Sequence, residues 1–191
     1  MKSLTLRSSV AFACALSLAA CGGGGGNLSL SGTVYGLVKD GLVLQNNGGT
    51  PYPVSAGTAV FVFPQLLKSD EDFNVTIKSS PSNAVCTVTN GKGRTGAYNI
   101  SSVVVTCITN TYDLGGTISG DATGLVLVNG ADKLTVTAGQ TSFKFNKVAD
   151  GSPYGVTVLS QPTSGGRTCS LQNGVGTMGA AAVNNIQVTC L

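Results

Sequence analysis

Short runs of alternating apolar and polar residues fill most of this chain, and they come in the same order twice. In FNVTI (73–77), Phe73, Val75 and Ile77 fall on one face of an extended strand, and YGVTV (154–158) repeats the pattern. Successive side chains on a strand point to opposite faces, so this phase marks an inward side. Cys86 and Val88 correspond in the same way to Cys169 and Leu171, and Val103, Val105 and Cys107 to Ile186, Val188 and Cys190. The segment GLVLQN (41–46) returns as GLVLVN (124–129), 83 positions later. Carried along the chain, that offset aligns residues 58–63 with 141–146 and sets Val60 and Val62 beside Phe143 and Phe145 as inward residues.

No stretch between residues 28 and 191 places apolar residues at i, i+3, i+4 and i+7 with a cap and adequate length. Short strands joined by Gly-, Asn- and Pro-rich connections predict an all-β protein instead. Two copies of one unit predict two tandem β-sandwich modules of about seven strands each, residues 28–113 and 114–191.

The stretch TSFKFNKVADGSPYGVTV (141–158) resembles a strand pair of prealbumin-like, carboxypeptidase-regulatory-type modules. The whole repeat, with its scattered apolar, Gly and Cys positions, is similar to tandem cysteine-paired repeats of bacterial surface proteins and lipoproteins of no assigned activity. That resemblance implies Ig-like or prealbumin-like sandwiches and little about activity.

Six cysteines sort simply. Cys14 lies in the expected signal segment and Cys21 directly after it. The repeat register then pairs Cys86 with Cys107 and Cys169 with Cys190, one bridge per copy, which an oxidising compartment permits. A four-thiolate metal site needs cysteines two to four residues apart, which these are not. The cysteines fall in phase with the core valines, so each bridge is expected at the core's edge.

Residues 1–20 read as a secretory signal: Lys2 and Arg7 are basic, and residues 10–20 are small or apolar but too few to span a bilayer. Leu18-Ala19-Ala20-Cys21 resembles the lipobox of bacterial lipoproteins. The resemblance implies that the Cys21 thiol takes a diacylglycerol, that the chain is cut before it, and that the new amine is acylated, by palmitate or a similar chain. Gly22 to Gly26 and Asn27 would then form a tether of residues 21–27. In enterobacterial lipoproteins an aspartate after the cysteine favours the inner membrane. Gly22 stands there, so the expected address is the cell envelope, at the outer membrane of a cell with two membranes.

Without the signal, Lys2 and Arg7 leave the count, and the 11 basic residues fall to nine against eight acidic ones. A near-neutral chain carries no electrostatic footprint for nucleic acid or anionic lipid. Charged residues are 10% of the chain, against about 25% in ordinary domains, so the surface is built largely from Thr, Ser, Asn, Gln and Gly.

Catalysis finds little material. Histidine is absent from the sequence, which removes Ser-His and Cys-His nucleophiles. The GxGxxG strings at 91–96 and 174–179 lie between paired cysteines and read as turns needing positive φ, not as dinucleotide fingerprints. Asp70-Glu71-Asp72, with Asp40 elsewhere, could offer oxygens to calcium, but the spacing fits no EF-hand and a solvated loop is expected, as at Asp150 in the second copy. No metal, no cofactor and no enzyme activity are expected.

The copies differ at one informative place. With Val60 and Val62 inward, Phe61 and Phe63 point outward where the second copy has Lys144 and Asn146, and Leu66 and Leu67 follow in the next connection. An outward apolar strip needs a cover, whether the other module, a local loop or a partner. The expectation is a non-catalytic structural, accessory or adhesive envelope protein with Phe61, Phe63, Leu66 and Leu67 as a candidate partner patch. The alternative is a carbohydrate-binding module using Tyr35, Tyr52, Tyr98 or Tyr112, with Tyr154 expected to be buried.

Overall fold

The computed structural model describes residues 27–163 and 165–191. The first module contains β1 (Leu30–Tyr35), β2 (Leu42–Asn46), β3 (Tyr52–Val54), β4 (Val60–Val62), β5 (Asp72–Ser79), β6 (Ala84–Thr89), β7 (Lys92–Arg94) and β8 (Ile100–Thr109). The second repeats the order with β9 (Thr111–Ser119), β10 (Val126–Asn129), β11 (Asp132–Thr135), β12 (Ser142–Ala149), β13 (Pro153–Ser160), β14 (Cys169–Gln172), β15 (Val175–Thr177) and β16 (Val183–Cys190). Each module thus has eight strands, and the seventh, β7 and β15, is the GxG segment expected to be turn.

Each module is two four-stranded sheets: β4-β1-β8-β6 and β3-β2-β5-β7 in the first, β12-β9-β16-β14 and β11-β10-β13-β15 in the second. The first and last strands of each module lie side by side in parallel, β1 with β8 and β9 with β16, while every other pair is antiparallel. Inner faces carry the predicted core: Leu42, Leu44, Phe73, Val75, Val103 and Val105 are buried in one cluster, and Leu125, Leu127, Val156, Ile186 and Val188 in the other.

Cys86 and Cys107 are directly opposed on β6 and β8, and Cys169 and Cys190 on β14 and β16. Both pairs form disulfides with Cα atoms 4.0 Å apart. All four half-cystines are buried at the core margin, so each bridge ties an outer strand to the central one beside it.

Burial reverses the expected phase of β4. Phe61 and Phe63 are buried, while Val60 and Val62 are exposed. Phe61 faces Gly32 across the ladder as Phe143 faces Gly116, so the true counterparts are Phe61 with Phe143 and Phe63 with Phe145, 82 positions apart. In each module the two rings meet edge to face, with centroids 5.6 and 5.8 Å apart. Gly32 makes room for this: a Cβ there would lie 2.2 Å from the Val103 carbonyl oxygen and 2.7 Å from the Phe61 ring.

The GxG strands have a related cause. Gly93 sits under the Phe73 ring and Gly176 under Tyr154, where an added Cβ would come within 2.8 and 2.5 Å of the ring atoms or hydroxyl. The positive φ of the preceding turns is carried by Asn90 and Asn173, at 55° and 58°. These glycines therefore serve close approach and not the turn itself.

Candidate partner-binding surfaces

The predicted patch does not survive as drawn. Phe61, Phe63 and Leu67 are core residues, at 1%, 3% and 4% exposure, and only Leu66 reaches solvent. The idea of one apolar face on one module holds with the opposite phase. On the outer side of sheet β4-β1-β8-β6, ladder rows set Val60 beside Thr33 and Val104, Tyr35 beside Thr106 and Thr87, and Ile108 beside Val85. Val60, Val62, Tyr35, Ile108 and Val85 are all exposed and Val104 is half-buried.

The second module supplies an internal control. Ladder positions matching Val60, Val62, Val104 and Tyr35 hold Ser142, Lys144, Gln187 and Ser119. At these four positions the same backbone thus carries polar side chains in one copy and Val or Tyr in the other, interleaved with Thr33, Thr87 and Thr106. The Ile108 position is matched by Leu191, which is exposed as well. Four strands at about 4.8 Å spacing and six residues at about 3.3 Å give such a face roughly 400 Å². Exposed apolar side chains grouped on one face of a monomer are often functional. Exposed Leu159 and Val175 of the second module lie on its other sheet, separated by about 13 Å along the strand direction, as isolated side chains.

A groove of about 630 Å³ lies along β12, with Asp113, Thr117, Gln140, Ser142, Lys144 and Asn184 among its lining and Leu134 and Phe143 as its apolar part. Lys144 Nζ sits 2.8 Å from Asp113 Oδ2, while Asp113 Oδ1 is buried without a protein partner. The hydrogen bond from Lys144 holds the Asp113 carboxyl below the usual aspartate range, against partial desolvation, and the charges of Lys144 and Lys147 act the same way.

Of the five tyrosines, Tyr35 and Tyr98 are exposed. Tyr52 packs on Phe63, Tyr112 donates to Asn83 Oδ1 at 3.4 Å, and Tyr154 is half-buried over Gly176. Two of the acidic triplet are engaged locally: Glu71 Oε2 accepts from Lys68 N, and Asp70 faces Arg94 of β7 at 3.7 Å. Asp40 bridges the β1–β2 and β3–β4 connections by accepting from Ala56 N. Among the described residues, no three His, Cys, Asp or Glu side chains gather in a way that could hold a metal ion.

Asp150 is not a solvated loop residue. It is buried and its carboxylate pairs with Lys39 of the first module. Its backbone N–H donates to the carbonyl of Asn110, the single residue between β8 and β9. The N–H of Asn110 in turn donates to the Asn83 carbonyl, so both backbone groups of the connection are fixed, one to each module. The expected signal and lipobox, with Cys21, lie outside the described residues. No protein-family pattern matches this chain, and no curated protein matches it.

Proposed function

We propose that this chain is a lipid-anchored protein of a bacterial cell envelope whose first module docks a protein partner on the outer face of its β4-β1-β8-β6 sheet, with no catalytic step. The observation that carries the reading is the contrast between Val60, Val62 and Val104 and their counterparts Ser142, Lys144 and Gln187 on the same fold. Anchoring is supported by Leu18-Ala19-Ala20-Cys21 behind a basic and apolar segment. A face of about 400 Å² is half of the roughly 800 Å² per partner in a standard stable interface. Confinement of both partners at one membrane offsets that deficit by raising effective concentration.

The second module shows which residues the fold tolerates, so the test grafts them: Val60→Ser, Val62→Lys and Val104→Gln together in the mature protein. Photo-crosslinking in native envelopes is expected to yield a partner adduct for the parent and none for the graft, with the melting temperature unchanged. Equal adducts from both proteins would overturn the docking face.

The groove along β12 favours a second reading, a carbohydrate site. Its polar side chains and the unpartnered Asp113 Oδ1 suit sugar hydroxyls. Glycan-array binding lost on Asp113→Asn would favour it over the protein-docking reading.

A further inference from the structure

Two exposed side chains stand beside the point where the chain enters the first module. Leu28 and Leu67 exchange backbone hydrogen bonds of 3.1 and 2.8 Å, which fixes the neighbouring Leu66 at 52% exposure. Ser29 N donates to Asn99 Oδ1 at 2.9 Å and Ile100 N to the Ser29 carbonyl at 2.9 Å, which fixes the loop carrying Tyr98. Tyr98 is 84% exposed, more than any other tyrosine among the described residues. At the same loop the second module reads Ala180-Ala181-Ala182 against Ala97-Tyr98-Asn99. The side chains that differ are therefore at the end nearest Cys21.

Distance makes this placement meaningful. Seven residue steps separate Cys21 from Leu28, and in any conformation they span at most about 25 Å. Headgroup layers are roughly 5–8 Å deep on each side of the hydrocarbon core. A module on such a tether has its entering end within about 20 Å of the headgroup surface, close enough to touch it. Tyrosine suits that zone because its ring is apolar and its hydroxyl polar.

We infer that Tyr98 and Leu66 form a lipid-contact tip: they insert into the headgroup layer of the membrane that holds the acyl anchor and set how the first module stands on it. The inference rests on acylation of Cys21. The charged residues nearest to them in sequence, Lys68, Asp70, Glu71 and Arg94, are of both signs, so the contact belongs to neutral as well as anionic headgroups.

The chain has no tryptophan, so a single introduced one reports its own surroundings. Mature lipidated Tyr98→Trp and Leu66→Trp are reconstituted in phosphatidylethanolamine–phosphatidylglycerol vesicles with plain or brominated acyl chains. Blue-shifted emission and at least twofold quenching are expected for both, and unshifted, unquenched emission for Ala181→Trp. Water-like emission from Tyr98→Trp in vesicle-bound, acylated protein overturns the tip and leaves the anchor standing. Equal quenching of Ala181→Trp also overturns it. An intact mass without acyl groups on Cys21, with no flotation on vesicles, overturns the anchor and the tip together.

Discussion

Lys39 of the first module donates to the carboxylate of Asp150 in the second, 111 positions along the chain. The Asp150 side chain is 4% exposed and that of Lys39 34%, so the pair lies between a surface ion pair and a fully buried one. Exposed pairs contribute under about 1 kcal/mol, whereas stripping one partner from a buried pair costs about 3–5 kcal/mol. Lys39→Met is therefore expected to cost about 1–3 kcal/mol. Adding Asp150→Asn should recover part of that loss. A double-mutant cycle in urea reads the coupling directly, and a value near zero would show that the ion pair does not help hold the modules, leaving the Asn110 backbone bonds and the Tyr112–Asn83 bond.

Gly32 and Phe61 make a second cross-strand relationship with a sharp test. Gly32→Ala forces a methyl group against the Val103 carbonyl and the Phe61 ring, neither of which is a flexible chain end. Overpacking in cores costs about 1–3 kcal/mol and occasionally more. Gly96→Ala, where nothing lies within 4 Å of the added carbon, should change stability by less than about 0.5 kcal/mol. Thermal unfolding of the two variants compares them, and equal melting temperatures would refute the packing role of Gly32.

Most of the fold is legible in the sequence because alternation is clean wherever one face is wet. In β12 the order Ser142, Phe143, Lys144, Phe145 leaves a single reading. In residues 59–63 every position is apolar, so alternation has no phase there. The phase then depends on the repeat offset, which is 83 at Gly41 and again at Cys86 but 82 at Phe61 and 81 at Phe73. Loop lengths differ between the copies, and a shift of one residue turns a strand over. The Phe-x-Phe spacing shared by both copies is the signal that locates the rings inside. Lys39 with Asp150 was beyond reach, since nothing local links a lysine to an aspartate across two modules.

The second module should lose stability in acid through two aspartates. Asp113 is held below the usual range by the Lys144 hydrogen bond. Asp121 is held low by hydrogen bonds from the Thr123 hydroxyl and backbone N–H, at 2.6 and 3.1 Å. A carboxyl whose folded pKa is depressed adds stability above its unfolded value of about 4, and that increment disappears as pH falls through the lower folded value. Lys144→Met removes the largest cause at Asp113. Urea midpoints of parent and variant should differ at pH 6 and converge toward pH 2. A gap that stays constant with pH would assign the loss to packing of the lysine stem.

The disulfides should stabilise the modules one by one. Each closes a loop with a sequence separation of 21, for which the chain-entropy model gives about 3 kcal/mol. For modules of this size 1 kcal/mol moves the melting temperature by about 4–8 °C, so losing one bridge should lower it by about 12–24 °C. Cys86→Ala with Cys107→Ala is expected to bring down the first module and leave the second, resolving two calorimetric transitions. Cys169→Ala with Cys190→Ala should do the reverse. A single transition displaced equally by either pair would mean that Lys39, Asp150 and Asn110 make the two modules unfold as one cooperative unit.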